Sequence, residues 1–238
     1  MKIRLFTIPN ILTLLNLLCG TVALIEILLY QNLYAAFILI MAAATFDFLD
    51  GLAARLLGQY SDIGRELDSL SDVVSFGLVP SMMMFTLFNL AEKSIDNPIW
   101  GKWGAVITLA IVCCSALRLA KFNVDSQQES SFVGLPTPAN ALFCISLGVL
   151  FDSGKLVLCA EWIAIISLAV AILLIAPIKF FALKFKNLSW HDNRVRYIFL
   201  IISAVTLLLL HELGIPVVIA IYIVMSLLCN ITNKSKIQ

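Results

Sequence analysis

Charge is what this sequence has least of. Only 13% of its 238 residues are Asp, Glu, Lys or Arg, while 61% are hydrophobic, and an average soluble domain carries about 25% charge. That balance excludes an ordinary soluble domain and points to a polytopic membrane protein. The net charge of +1 gives no argument for nucleic acid, and none is expected as a partner. Histidine is nearly absent. His191 sits in a basic stretch and His211 beside Glu212 at a helix end, neither with a partner at ligand spacing, so a histidine metal site is excluded. The six cysteines, Cys19, Cys113, Cys114, Cys144, Cys159 and Cys229, are scattered through apolar segments without zinc-site spacing and read as small buried hydrophobes. Internal repeats and low-complexity linkers are also missing, which leaves a single domain over residues 1–238.

What the sequence has in abundance is long apolar runs. Bounded by charge, Pro or Gly, they predict about eight helices, at 8–30, 33–57, 69–91, 99–121, 137–152, 157–179, 194–211 and 213–231, the fifth the shortest. The fold class is therefore all-α, a polytopic integral membrane helix bundle. With the N-terminus in the cytoplasm, 13 of the 16 basic residues, from Lys2 and Arg4 to Lys234 and Lys236, fall on the cytoplasmic side. Lys93, Lys102 and Lys155 fall on the other. The positive-inside rule favours this orientation, with both termini cytoplasmic. The basic start, apolar run and Cys19 imitate a lipoprotein signal. Leu18 stands where a small residue is required, so the first helix is read as retained. The basic connector carrying Lys179, Lys184, Lys186, Arg194 and Arg196 is explained by a solvated or headgroup-facing surface.

Against this background one stretch stands out, Phe46 to Val74. It sets Asp47 and Asp50 at i, i+3 and Asp68 and Asp72 at i, i+4, so each pair lies on one helix face. Four unpaired carboxylates at membrane depth would cost on the order of 10 kcal/mol. Arg55 and Arg65 are too few to neutralise them, although Arg55 is a candidate charge partner. Hard divalent cations prefer carboxylate oxygens, and Mg²⁺ is commonly shared between protein carboxylates and substrate phosphates. Paired metals of this kind stabilise the attacking and leaving oxygens of a displacement at phosphorus. Gly51, Ala54 and Gly64 leave room for a bulky ligand. A solvated connector over Asp62, Arg65, Glu66 and Asp68 is the plainer alternative, and it leaves both spacing and glycines unexplained. On the first helix, Asn10, Thr13 and Asn16 recur at i, i+3, i+6 on one face, suited either to a ligand or to a neighbouring helix.

The pattern Asp47-x2-Asp50-Gly51-x2-Ala54-Arg55-x8-Gly64-x3-Asp68-x3-Asp72 resembles the complete signature of the CDP-alcohol phosphatidyltransferase family. Two further runs are similar to the phosphatidylserine synthase branch. They are Glu66 to Gly77, ELDSLSDVVSFG, and Arg118 to Asn123, RLAKFN, followed by Gly134-Leu135-Pro136-x-Pro138-Ala139. The resemblance covers residues 8 to about 145. It implies transfer of the phosphatidyl group from CDP-diacylglycerol to L-serine, releasing CMP, by a membrane-embedded homodimer in the bacterial cell (inner) membrane with its active site facing the cytoplasm.

On that resemblance, Asp47, Asp50 and Asp68 hold one or two Mg²⁺ or Mn²⁺ ions. Asp72 is the general base and is also within reach of metal. Asn10, Thr13, Gly51, Ala54, Arg55 and Gly64 shape the nucleotide and CDP-diacylglycerol site. Arg118, which can meet a carboxylate bidentately, is placed with Lys121 and Asn123 at the serine, against the plainer reading of Arg118 and Lys121 as positive-inside anchors. Another alcohol acceptor (glycerol 3-phosphate, inositol phosphate or choline) stays open. A divalent-cation transporter is the alternative from a different class, disfavoured because the acids gather at one face instead of across mid-membrane.

Overall fold

The computed structural model describes residues 5–93, 101–124, 132–181 and 190–234. Of these, 87% are helical, so the all-α expectation holds. The basic residues Lys2, Arg4, Lys184, Lys186 and Lys236, and the polar loop at 125–131, lie outside the described residues.

Helix α1 (Ile8–Ile25) starts where Thr7 accepts a hydrogen bond from the Asn10 N–H at 3.3 Å, with Pro9 in the first turn where its missing N–H costs nothing. It runs on as a π-helical turn, Glu26–Tyr30. Asn32 caps α2 (Leu33–Leu57), which stops at Gly58 in the left-handed conformation. Ser61 then caps α3 (Asp62–Asp72) by accepting from the Gly64 N–H at 3.0 Å. A π-helical segment, Val73–Leu78, joins α3 to α4 (Val79–Lys93) without a break. The third helix was expected from 69; the Ser61 cap starts it seven residues earlier. Asp68 and Asp72 are thereby on one helix, whose first turns carry Asp62, Arg65 and Glu66 exposed, as the connector alternative has them.

A 3₁₀ segment, Gly101–Leu109, leads into α5 (Ala110–Val124), which runs three residues past the expected end and so contains Asn123 as well as Lys121. After the short strand β1 (Phe132–Val133) come α6 (Thr137–Asp152) and α7 (Ala160–Ile175). The expected helix over 157–179 ends early because Ala176, preceding Pro177, is held extended. The chain beyond it forms β2 (Lys179–Phe180), which pairs antiparallel with β1. Last come α8 (Trp190–Leu210), kinked at Asn193, the 3₁₀ turn His211–Leu213, and α9 (Gly214–Lys234).

Five stretches are long and apolar enough to cross a membrane, Ile8–Tyr30, Leu33–Leu57, Asp62–Glu92, Trp103–Val124 and Asn193–Asn230. The last takes in most of both α8 and α9. Helices α6 and α7, 16 residues each, are apolar but shorter than the ~20 residues a bilayer crossing takes. Outward-facing Leu208, Leu209 and Ile172 give the bundle an apolar exterior. Its core is built from Ile40, Phe76, Met83, Leu87 and Ile145. Helix α1 packs along α2 and α3. Against the π-helical segment, Gly20 comes so close that a Cβ would stand 2.2 Å from Ser75 Oγ and 2.8 Å from Ser75 Cα.

Candidate active site

Helix α2 presents Asp47 and Asp50, and α3 presents Asp68 and Asp72. One carboxylate oxygen from each of Asp47, Asp50 and Asp68 lies within 4.8 Å of the others. Asp50 and Asp72 are buried, at 6% and 7% exposure. At such a separation two carboxylates repel by about 3 kcal/mol at an effective dielectric constant of 20. Among the described residues no Lys or Arg forms an ion pair with any of the four. Arg65 pairs instead with Asp62 at the surface, at 3.6 Å. Arg55 is exposed, and its Nε donates to the Gly51 carbonyl at 2.9 Å, so the charge partnership expected of it with the aspartates is not formed.

The cluster therefore asks for a cation from outside the chain, and its donor set fits a divalent metal. Three anionic oxygens converge, and Asp68 Oδ1 is buried with no hydrogen-bond partner. An oxygen in that condition costs about 1–3 kcal/mol unless something occupies its lone pairs. Asp72 stands outside the trio, one turn beyond Asp68.

Helix α1 supplies the wall facing these acids. Thr13 Oγ1 donates to Asp50 Oδ2 at 2.6 Å, and Asn16 Nδ2 donates to Asp72 Oδ1 at 3.3 Å. The polar face of α1 thus bonds neighbouring helices through the very carboxylates of the site. Asn10 donates to the Leu5 carbonyl at 2.8 Å, and its Oδ1 would be 3.1 Å from a Cβ at Gly64. Any side chain there would press on the wall. Around Gly51 the space is open, with nothing within 4 Å of a Cβ, and Ala54 is half-buried one turn on.

Three hydroxyls that sequence reasoning missed hold α3 and the π-helical segment after it in place. Ser71 Oγ donates to the Thr13 carbonyl and Ser75 Oγ to the Asn16 carbonyl, each at 3.1 Å. Ser69 accepts from Asn123 Nδ2 at 2.9 Å, which ties the end of α5 to the turn between Asp68 and Asp72. Arg118, on α5, is within electrostatic reach of Asp72, and its Nη1 donates to Thr137 Oγ1 at 3.3 Å. Lys121 is exposed. With Arg118, Leu117, Phe122, Val133, Leu174 and Ile175 it lines a cavity of about 310 Å³ between α5 and the end of α7. The structure thus gathers Asp47, Asp50, Asp68, Asp72, Asn10, Thr13, Gly51 and Gly64, brings Asn123 and Arg118 to their flank, and leaves Arg55 and Lys121 at the surface.

The family model for CDP-alcohol phosphatidyltransferase matches residues 6–176, which include all four aspartates and the α1 wall. The chain belongs to the CDP-alcohol phosphatidyltransferase family. It is an enzyme of the transferase class, and the transporter alternative is set aside. Three relatives, each named CDP-diacylglycerol–serine O-phosphatidyltransferase, show the range of similarity. The Bacillus subtilis protein is 36% identical over 145 residues, 61% of this chain and 77% of its own. The Methanocaldococcus jannaschii protein is 35% identical over 178 residues, 74% of this chain and 75% of its own. The Mycobacterium tuberculosis protein is 36% identical over 154 residues, 61% of this chain and only half of its own length.

Proposed function

We propose that this phosphatidyltransferase uses L-serine as its acceptor, moving the phosphatidyl group from CDP-diacylglycerol to the serine hydroxyl and releasing CMP. The observation that carries the reading is the convergence of the Asp47, Asp50 and Asp68 carboxylates within 4.8 Å beside a buried fourth, Asp72. Asp47, Asp50 and Asp68 would hold one or two divalent ions, Mg²⁺ or Mn²⁺, whose Lewis acidity offsets the charge of a diphosphate.

The chain's own residues do the rest. The bond from serine oxygen to the phosphatidyl phosphorus forms, the bond from that phosphorus to the CMP oxygen breaks, and the hydroxyl proton goes to an Asp72 oxygen. Asn16 steadies that carboxylate through its 3.3 Å hydrogen bond. Asn10, Thr13, Gly51, Ala54 and Gly64 bound the space for the nucleotide. Exposed Arg55, held at its Nε by the Gly51 carbonyl, keeps its terminal nitrogens for phosphate. Arg118 offers a fixed cation for the serine carboxylate, with Lys121 and Asn123 beside it. The naming of the relatives supports serine over glycerol 3-phosphate, inositol phosphate or choline.

In the membrane, the reading is of one domain with eight crossings, α6 and α7 included, both termini and the aspartates on the cytoplasmic side of a bacterial inner membrane, and a homodimeric assembly. CMP release decides the function. Purified protein given CDP-diacylglycerol and Mn²⁺ or Mg²⁺ should release CMP with serine and far less with the other alcohols. Equal release with another acceptor would overturn serine as the substrate.

A further inference from the structure

A guanidinium can grip a carboxylate with two parallel hydrogen bonds along either of two edges, Nη1–Nη2 or Nε–Nη2. In Arg118 the first edge is engaged, because Nη1 donates to Thr137 Oγ1. Nε is buried and has no partner among the described residues. The side chain is held at Nη1 and unsatisfied at Nε.

Thr137 has little freedom to be anywhere else. It is the first residue of α6 and 1% exposed. Two of the three residues before it are fastened to α7 and the chain just past it, with the Gly134 N–H donating to the Ile178 carbonyl and the Leu135 N–H to the Leu173 carbonyl, both at 2.9 Å. Gly134 has φ +86°, and a Cβ there would lie 2.1 Å from the Leu174 carbonyl oxygen, so only glycine allows this approach. Pro136 then fixes the extended approach to the helix. Further polar groups lie one helical turn away on either helix. Ser115 Oγ on α5 and Asn140 Nδ2 on α6 belong to fully buried residues and are likewise unpartnered. Buried polar atoms are overwhelmingly paired in folded proteins, so the unpartnered Nε of Arg118 asks for an acceptor from outside the described residues.

We propose that Thr137 is a positioning residue for acceptor choice: its hydroxyl holds Nη1 of Arg118 so that the Nε–Nη2 edge faces the acceptor and binds its carboxylate. The proposal rests on serine being the acceptor and adds the device by which a carboxylate-bearing alcohol is preferred. A neutral or cationic acceptor head gains nothing from that edge, and a Lys at 118 has no edge to offer.

The test compares Thr137→Val, which keeps shape and removes the hydroxyl, with Thr137→Ser, which keeps the hydroxyl. CMP release is measured against serine, serinamide and CDP-diacylglycerol. Thr137→Val should raise the KM for serine about tenfold, the scale of one hydrogen bond to a charged group, with kcat and the KM for CDP-diacylglycerol within about twofold of the parent. Serinamide, which lacks the carboxylate, should be used equally by parent and variant. Thr137→Ser should restore the parent KM. If Thr137→Val does not yield folded protein, Thr137→Ala should show the same split. An unchanged serine KM in the hydroxyl-free variant, or equal losses for serine and serinamide, overturns the role of Thr137. Should Arg118→Lys still raise the serine KM in that case, the acceptor reading stands without it. If the parent does not accept serine at all, the reading and the proposal fall together.

Discussion

The hydroxyl of Thr13 on α1 donates to the Asp50 carboxylate on α2 across 2.6 Å, so the first helix of the chain orients a carboxylate of the acidic cluster and is not only a membrane anchor. Thr13→Val keeps the shape of the side chain and loses that bond. Residues that orient metal ligands typically contribute 10- to 100-fold in metal affinity or activity. The Mn²⁺ concentration giving half-maximal CMP release should therefore rise at least tenfold in the variant, with the protein still folded. An unchanged Mn²⁺ dependence would reduce the Thr13–Asp50 bond to helix packing.

Chelation tests the cluster as a whole. Exhaustive treatment with EDTA should abolish CMP release, and Mn²⁺ or Mg²⁺ should restore it. Asp47→Asn, Asp50→Asn and Asp68→Asn each remove an anionic ligand at nearly constant size, and each should lower activity by about 100-fold or more while shifting the metal requirement upward. Full activity after chelation contradicts a metal-dependent reaction.

Asp72 should behave differently from the other three. If it accepts the serine proton, Asp72→Asn should lower kcat by about 10² to 10⁴ and leave the KM for CDP-diacylglycerol nearly unchanged, because the proton moves only in the transition state. Asn16→Ala, which frees the Asp72 carboxylate, should show a smaller fall in kcat of the same type. Loss of CDP-diacylglycerol binding in Asp72→Asn would instead make Asp72 chiefly a metal ligand.

Gly20 offers a stability test that reports on the site. A Cβ there would meet the Ser75 backbone at 2.8 Å, and overpacking of this kind costs about 1–3 kcal/mol. Gly20→Ala should lower the melting temperature in detergent. It should also weaken activity, because the same contact seats the Asn16 carbonyl against Ser75. A variant with parent-like melting and activity would mean that α1 and the π-helical segment can separate without harm.

The aspartates were legible in the sequence because their cost in an apolar setting leaves few alternatives and their spacing fixes a shared face. Helix centres were legible for the same reason, since runs of apolar residues of bilayer length have one common use. Boundaries were set by finer contacts. Ser61 starts α3 seven residues early, and Ala176 before Pro177 ends α7 four residues before the expected 179. Both signals were present in the sequence but were outweighed there by hydrophobicity. Asn10, Thr13 and Asn16 suited a ligand or a helix neighbour equally, and the structure shows why the choice was artificial: Thr13 and Asn16 bond the neighbours' carboxylates. Ser71 and Ser75 were not legible, because a serine inside a membrane helix bonds its own preceding turn as readily as another helix. Thr137 meets Arg118 only through the clamp of Gly134 and Leu135 on α7, a tertiary contact with no sequence period.

The π-helical segment Val73–Leu78 begins at the residue after Asp72. A π turn accommodates one residue more than an α turn, and each residue of an α-helix advances the face by about 100°. The helix from Asp62 to Lys93 therefore runs in two phases, one set for the acids and one for the core behind them. Deleting a single residue from the segment would merge the phases, turning Met83 and Leu87 away from their present neighbours or swinging Asp68 and Asp72 away from α2. The six residues act as a phase joint, letting the site half and the packing half of one helix change sequence independently while keeping a common axis.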